Sequence, residues 1–356
     1  MTHETKAGSN NHAFTHRLIA IMILLIGVLL IWKTLHIFLL IFLSGIFAVF
    51  LHRSAVWIHA RAGIGIRWGT ALVTLVLIAT STVLIILMAP QIADQVDKLT
   101  ETLPDSWQHF REAIAQNRFG GWLMTHLPPM QRLSGSLGGL MHQATAWLYS
   151  ALGALIGVLV IFVLGLYLAY DAALYTHGIT TLVSKDLRER ATTTLQAIAS
   201  TLYWWVVGRL CAMLIIGILT FLGLWLLDVP LALTLGLFAA VMSFIPNIGP
   251  LIATIPAFLL ALQTGWSQAA YVTLLYAAIQ AVESYLITPF VQRQMISMPP
   301  ALILSAQLIM GVIQGVLGIL VATPLVAVII VMTKMLYLQD GNREEIGSDQ
   351  DNQQKS

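Results

Sequence analysis

The chain reads as an all-α integral membrane protein: a polytopic helix bundle of about eight spans, with short or re-entrant helices and an outer amphipathic helical segment. Three observations predict this. Hydrophobic residues make up 58% of the sequence and charged residues only 10%, where soluble domains carry about 25% charged residues, and mean hydropathy is +0.83. The apolar residues fall in runs long enough for spans of about 20 residues. They also lack the strict alternation of lipid-facing barrel strands. Backbone polar groups in lipid must bond within the protein, and a helix does so inside one segment.

Residues 1–17 form an N-terminal tail, and 18–90 hold the first three membrane helices. The run from Leu18 to Leu51 exceeds the roughly 7–15 residues of a signal-peptide core, so it is expected to be retained. Lys33, Thr34 and His36 interrupt it, which predicts two short tilted spans joined there. A third span runs from Arg67 to Pro90. Residues 91–145 are too polar to cross and are expected outside the membrane. There Ile92, Val96, Leu99 and Leu103 recur at helical spacing until Pro104, and Trp107, Phe110 and Ile114 begin a second amphipathic helix.

The fourth span covers 146–170, and 171–205 reads as a cytoplasmic amphipathic linker with Leu187, Leu195, Ile198 and Leu202 on one side and Trp204 and Trp205 at the interface. Residues 206–338 form a C-terminal membrane bundle. Its runs are Val206–Leu227, Leu231–Ile245, Leu251–Leu262, Gln268–Phe290 and a closing pair between Ala301 and Lys334. Several are short for a crossing, which predicts broken or re-entrant helices. Residues 339–356 read as a disordered cytoplasmic tail. Arg17, then Arg53, Arg61 and Arg67, then Lys185, Arg188 and Arg190, and finally Arg293 and Lys334 fall on one side if each run crosses once. The basic bias of cytoplasmic loops therefore places both termini in the cytoplasm.

A net charge of +2 gives no basic face for nucleic acid. The single cysteine, Cys211, lies in an apolar run and reads as a small buried hydrophobe. Scattered histidines and the lack of H-E-x-x-H, G-x-S-x-G or G-x-x-x-x-G-K-[ST] point to no metal, no cofactor and no enzyme.

Ionisable groups inside lipid are functional candidates by default, and Glu283 stands out. Thr273, Tyr276, Gln280, Ser284 and Thr288 are spaced to share its side of the helix. A glutamate on such a stripe is suited to binding a cation or exchanging a proton at a wet cavity. The alternative is polar glue between helices. Pro246, Asn247, Gly249 and Pro250 lie between two short runs, where prolines stop a helix and glycine lets the backbone turn. The result is either a broken helix whose freed groups coordinate an ion or polar substrate, or a tight cytoplasmic turn. Gln307, Gly311, Gln314, Gly315 and Gly318 share one side of the closing hairpin and read as a close helix-packing face, as do Gly153 and Gly157. Asp171, Arg209 and Asp228 flank spans, where anchoring or capping is expected.

The C-terminal half resembles the autoinducer-2 exporter (AI-2E) family of bacterial permeases. Carrying that resemblance are Leu226-Leu227-Asp228-Val229-Pro230, Ser243 through Pro250 with Ile255-Pro256-Ala257, Glu283-Ser284-Tyr285 followed by Pro289, and Gly315 through Gly318 with Ala322-Thr323-Pro324-Leu325. It extends more weakly over nearly the whole chain. Gly208-Arg209 departs from the Gly-Gln often found in members. The resemblance implies about eight membrane helices plus a hairpin in a bacterial inner membrane, self-association into a homo-oligomer, export of a small signalling molecule in some members, and exchange of sodium or lithium for protons in others. The expectation is a secondary transporter that exports a small polar molecule, with ion or proton coupling through Glu283. A monovalent cation/proton antiporter and a non-transporting membrane scaffold are the alternatives.

Overall fold

A computed structural model describes residues 7–83, 85, 86, 137–246, 248–287, 289 and 298–335. Helix α1 spans Ala7–Ala62. It passes through Lys33, Thr34 and His36 without a break, so the two expected short spans are one element. No proline or glycine lies between Val28 and Ser44, and a lone Lys or Thr does not remove a hydrogen bond from the helical ladder. Gly63, at a φ of +68°, ends α1, and α2 follows at Ile66–Val83. At that turn a side chain on Gly69 would meet the Ala55 carbonyl at 3.2 Å.

The expected outer segment lies outside the described residues as far as residue 136. Helix α3, Leu137–Tyr170, begins earlier than the expected fourth span and packs along α1. Their close approach is at Gly165, where an added Cβ would meet Phe47 at 2.7 Å and the Ser44 carbonyl at 3.0 Å. The pair singled out in sequence does not make it: nothing lies within 4 Å of such a Cβ on Gly153, and Gly157 has only an ordinary contact with Leu40.

The chain bends by 81° at the end of α3 into α4, Ala172–Thr181, and a single 3-10 turn, Lys185–Leu187, leads into α5, Arg188–Leu226. The expected boundary between linker and span near residue 205 is absent. Residues 188–205 contain neither Gly nor Pro, and the helix runs through. Its C-terminus carries a Schellman cap. Asp228 sits at φ +51°, its N–H donates to the Trp225 carbonyl at 3.1 Å, and the N–H of Val229 donates to that of Leu224 at 3.0 Å. Leu224 and Val229 belong to one buried cluster, the apolar contact that accompanies this motif.

Helix α6, Ala232–Met242, turns back along α5. Cβ atoms built on Gly236 and Gly217 would come within 2.8 Å of Phe221 and 2.7 Å of Ala240. Helix α7, Ile248–Thr264, is followed by α8, Trp266–Val282, which ends in one π-helical turn, Glu283–Ile287. The α8 helix runs antiparallel to α5. The Gln268 amide donates to the Leu227 carbonyl at one end of the pair, and an added side chain on Gly223 would strike Leu275 further in. Helices α5 to α8 enclose the largest core, with Ala212, Ile216, Leu224, Leu235, Ala253, Leu260, Val272 and Tyr276 among its residues.

Helix α9, Pro300–Thr333, contains Gly315 at φ 61°, ψ −141°, and there the chain reverses. A Cβ on Gly311 would meet Ile319 at 2.9 Å, although residues eight apart on a straight helix are separated by about 12 Å. The arms 300–314 and 316–333 are about 22 and 27 Å long, shorter than a hydrocarbon core of about 30 Å. By length and composition among the described residues five helices could cross a membrane, α9 among them only if its two arms are taken as one, or six if the bent α3–α4 pair is one span, with α6 and α7 as shorter apolar helices. The protein is therefore a helical membrane protein with several broken or folded-back elements.

Candidate functional site

The apolar run at the end of α5 carries one cation, and the span containing α8 carries one anion. Opposite charges in lipid lower each other's cost by meeting. Antiparallel register brings them together: Arg209 Nη1 lies 3.6 Å from Glu283 Oε1. The glutamate is 5% exposed, and Gln280, one turn earlier, donates to its other oxygen at 3.4 Å. Arg209, expected to anchor a span end, is instead the partner of the buried carboxylate. Sequence reasoning missed it because each charge was weighed on its own helix. A single unmatched charge of each sign in neighbouring spans was the available signal.

The residues that share Glu283's inward face are not quite those expected. Ala269, Val272, Tyr276, Ile279, Glu283 and Ile287 are buried. Gln280 is half-buried, whereas Thr273 and Ser284 are exposed. Thr273 satisfies its hydroxyl on the Ala269 carbonyl at 2.8 Å, which lets it face lipid at little cost. Thr288 lies outside the described residues. The carboxylate begins the π-helical turn, a local widening of the helix that recurs at functional sites. Tyr276 Oη and Thr220 Oγ1, on α8 and α5, are buried with no hydrogen-bond partner among the described residues.

The turn between α6 and α7 meets α5 one helical turn from this pair. Trp205, one helical turn before Arg209 and on the same face of α5, packs edge-on against Phe244 with ring centroids 5.6 Å apart. Pro246 and Gly249 are buried and Pro250 is half-buried; Asn247 lies outside the described residues. A side chain on Gly249 would overlap the Met242 carbonyl, so glycine is what lets the two helix ends come so close. The Pro246 carbonyl is not left free. It accepts from the Ile248 N–H at 2.8 Å and from Gln307 Nε2 at 3.2 Å. Gln307, on the first arm of α9, thus joins the hairpin to the helix break, a contact that sequence reasoning did not anticipate.

Of the predicted packing face, Gly311 and Gly318 do pack closely, but against the facing arm of their own hairpin: Gly311 against Ile319, and Gly318 against the Met310 carbonyl and Gln314. Gly315 is the hinge and makes no close contact. Cys211 is exposed, not buried. Among the described residues no cluster of His, Cys, Asp and Glu is placed to hold a metal ion. Three of the basic residues assigned to one side, Arg53, Arg67 and Arg190, gather at one end of the bundle, whereas position 17 lies near the far end of the unbroken α1. Arg53 donates to the Gln196 carbonyl on α5, Arg190 to that of Met335 after α9, and Arg67 pairs with Asp171 at the α3–α4 bend.

Comparison with known proteins gives the same direction. The family described as "AI-2E family transporter" matches residues 19–337. The chain is 30% identical over 166 residues to "Putative transport protein YrrI" of Bacillus subtilis, covering 47% of each protein and so about half the length of that relative. Similarity to "Putative transport protein YueF" of Bacillus subtilis is 24% over 254 residues, 68% of this chain and 69% of the relative. A third relative, "Putative transport protein sll0060" of Synechocystis, is 23% identical over 286 residues, 77% of this chain and 80% of its own.

Proposed function

The chain belongs to the AI-2E family of transporters, and from that premise we propose that it is a secondary permease that exports a small polar molecule, with Glu283 as the group where charge is bound or released. The observation that carries this reading is the Arg209–Glu283 pair with its carboxylate buried, one turn of α5 from the contact that Trp205 makes with the α6–α7 turn. A carboxylate so held exchanges partners only when neighbouring helices move, which ties its charge state to the conformation of the bundle. The gathering of Arg53, Arg67 and Arg190 at one end supports that end, with residue 335, as the cytoplasmic face of an inner membrane, whereas the unbroken α1 carries residue 7 toward the opposite side. A homo-oligomer in the bilayer is part of the same proposal.

Cation/proton antiport is the weaker reading for this chain, because a guanidinium already neutralises the carboxylate that a sodium or lithium ion would need. A scaffold without transport would also use such a pair as glue, and flux separates the two. In inverted vesicles, metabolites that accumulate in cells lacking the chain are taken up by wild type, and Glu283→Gln abolishes that uptake while inserting and assembling normally. Equal uptake by both proteins removes Glu283 from the mechanism, and absence of any uptake by wild type leaves the scaffold.

A further inference from the structure

Helix α4 leaves the end of α3 at 81°. Spans tilt on average about 20° from the bilayer normal, so a helix set at that angle to one runs within about 30° of the membrane plane. None of its residues is buried, yet its side chains sort by direction. At about 100° per residue, Leu174, Tyr175, Ile179 and the capping Leu182 project to one side, and Thr176, His177, Thr180 and Thr181 project to the roughly opposite side. Ala172 and Thr180, the half-buried residues of the helix, mark the direction of the bundle and fall between the two. The apolar side is thus left uncovered by the rest of the described chain, with Leu182 88% exposed and Leu174 67%. A helix with lipid beneath it, water above it and the bundle at its flank has this arrangement.

The neighbouring surface carries the marks of a membrane boundary. Arg67, at the start of α2, ties the α1–α2 turn to the α3–α4 bend: it pairs with Asp171 at 3.5 Å, and its guanidinium stands 5.9 Å from the centre of the Tyr170 ring. Beside it Trp57 and Trp68 are exposed, with the Arg61 guanidinium 5.2 Å from the centre of the Trp57 ring. Exposed indole and phenol rings interleaved with arginine favour the layer between acyl chains and water. Charge gives the sign of what lies there. Residues 53–68 and 171–190 carry six basic side chains, Arg53, Arg61, Arg67, Lys185, Arg188 and Arg190, against the three acidic ones Asp171, Asp186 and Glu189. A cationic surplus at this level attracts anionic headgroups. A second copy of the chain docked on the same face would bring like charges together.

We propose that α4 lies flat in the headgroup layer and, with the α1–α2 turn, forms a binding surface for anionic phospholipid. Leu174, Tyr175, Ile179 and Leu182 rest on the upper ends of the acyl chains, while Arg61, Lys185 and Arg188, all exposed, meet the phosphates of the surrounding headgroups. The first part of the stretch expected as a cytoplasmic linker is then held by the bilayer. This inference needs only the membrane assignment and is independent of what the chain transports.

The test uses the full chain carrying Cys211→Ala in nanodiscs of phosphatidylcholine and phosphatidylglycerol. Spin labels are attached one at a time at Leu174→Cys, Ile179→Cys, Leu182→Cys, Thr176→Cys, His177→Cys and Thr181→Cys, and collision rates are read with oxygen, which concentrates in lipid, and with a water-soluble nickel chelate. The first three positions are expected to meet oxygen and be shielded from nickel, and the last three to show the reverse. Nickel reaching both sides equally places α4 in water, and both reagents shut out of the apolar side place a protein partner or second copy there; either result overturns the proposal. Headgroup preference is measured separately, from the association of spin-labelled phosphatidylglycerol and phosphatidylcholine with the wild-type chain. Phosphatidylglycerol is expected to be favoured about twofold, a preference that the combined Arg61→Gln, Lys185→Gln and Arg188→Gln variant loses and the charge-conserving Arg61→Lys, Arg188→Lys variant keeps. Equal association of both lipids with wild type, or a preference retained by the neutral variant, overturns the anionic assignment.

Discussion

Breaking the Arg209–Glu283 pair from one side and from both sides should give very different stabilities. At 3.6 Å the attraction between unit charges is about 5 kcal/mol at an effective dielectric of 20, and desolvating both ions takes back much of that gain. Arg209→Met removes the cation and leaves a carboxylate that is 5% exposed, a change expected to cost about 3–5 kcal/mol. Glu283→Gln leaves the guanidinium unpaired, but Arg209 retains a partly exposed side chain, so its loss should be smaller, roughly 1–3 kcal/mol. Combining the two substitutions removes both charges and should cost less than the two singles added together, by a coupling energy of about 2–3 kcal/mol, leaving the double variant no less stable than Arg209→Met alone. Unfolding by a denaturing detergent from mixed micelles, followed by tryptophan fluorescence, measures all four proteins under one condition. Additive effects, with the double variant as unstable as the sum of the singles, would refute the claim that these charges meet inside the bundle.

Two further substitutions test backbone features in the same unfolding assay. Asp228 occupies the left-handed position of the α5 cap, so Asp228→Ala should cost about 1–2 kcal/mol while Asp228→Gly is neutral or stabilising; equal losses would mean that the cap is not formed. Gly315 holds φ 61°, ψ −141° with nothing within 4 Å of where a Cβ would stand. Gly315→Ala should therefore cost about 1–3 kcal/mol through backbone strain alone, and an unchanged midpoint would argue against a reversal at that residue.

The sequence by itself determined the solvent, the element type and the addresses of the unusual residues. Transfer of apolar runs into lipid is a sum over neighbouring residues, so the helical class could be read from 58% hydrophobic composition and long runs. Likewise the interruption at Pro246–Pro250 and the depth of Glu283 were legible, because proline and a buried carboxylate act wherever the chain puts them. Continuity was misread at Lys33 and near residue 205, since polarity marks where a chain meets water and not where a helix ends.

Only the tertiary structure decided what faces what. Helix register, set by close approaches such as Gly223 on Leu275 and Gly217 on Ala240, selected Arg209 as the partner of Glu283 and turned Ser284 outward. The α9 hairpin placed Gln307 against Pro246. These contacts join residues far apart along the chain, and their energies depend on distances that no local pattern encodes.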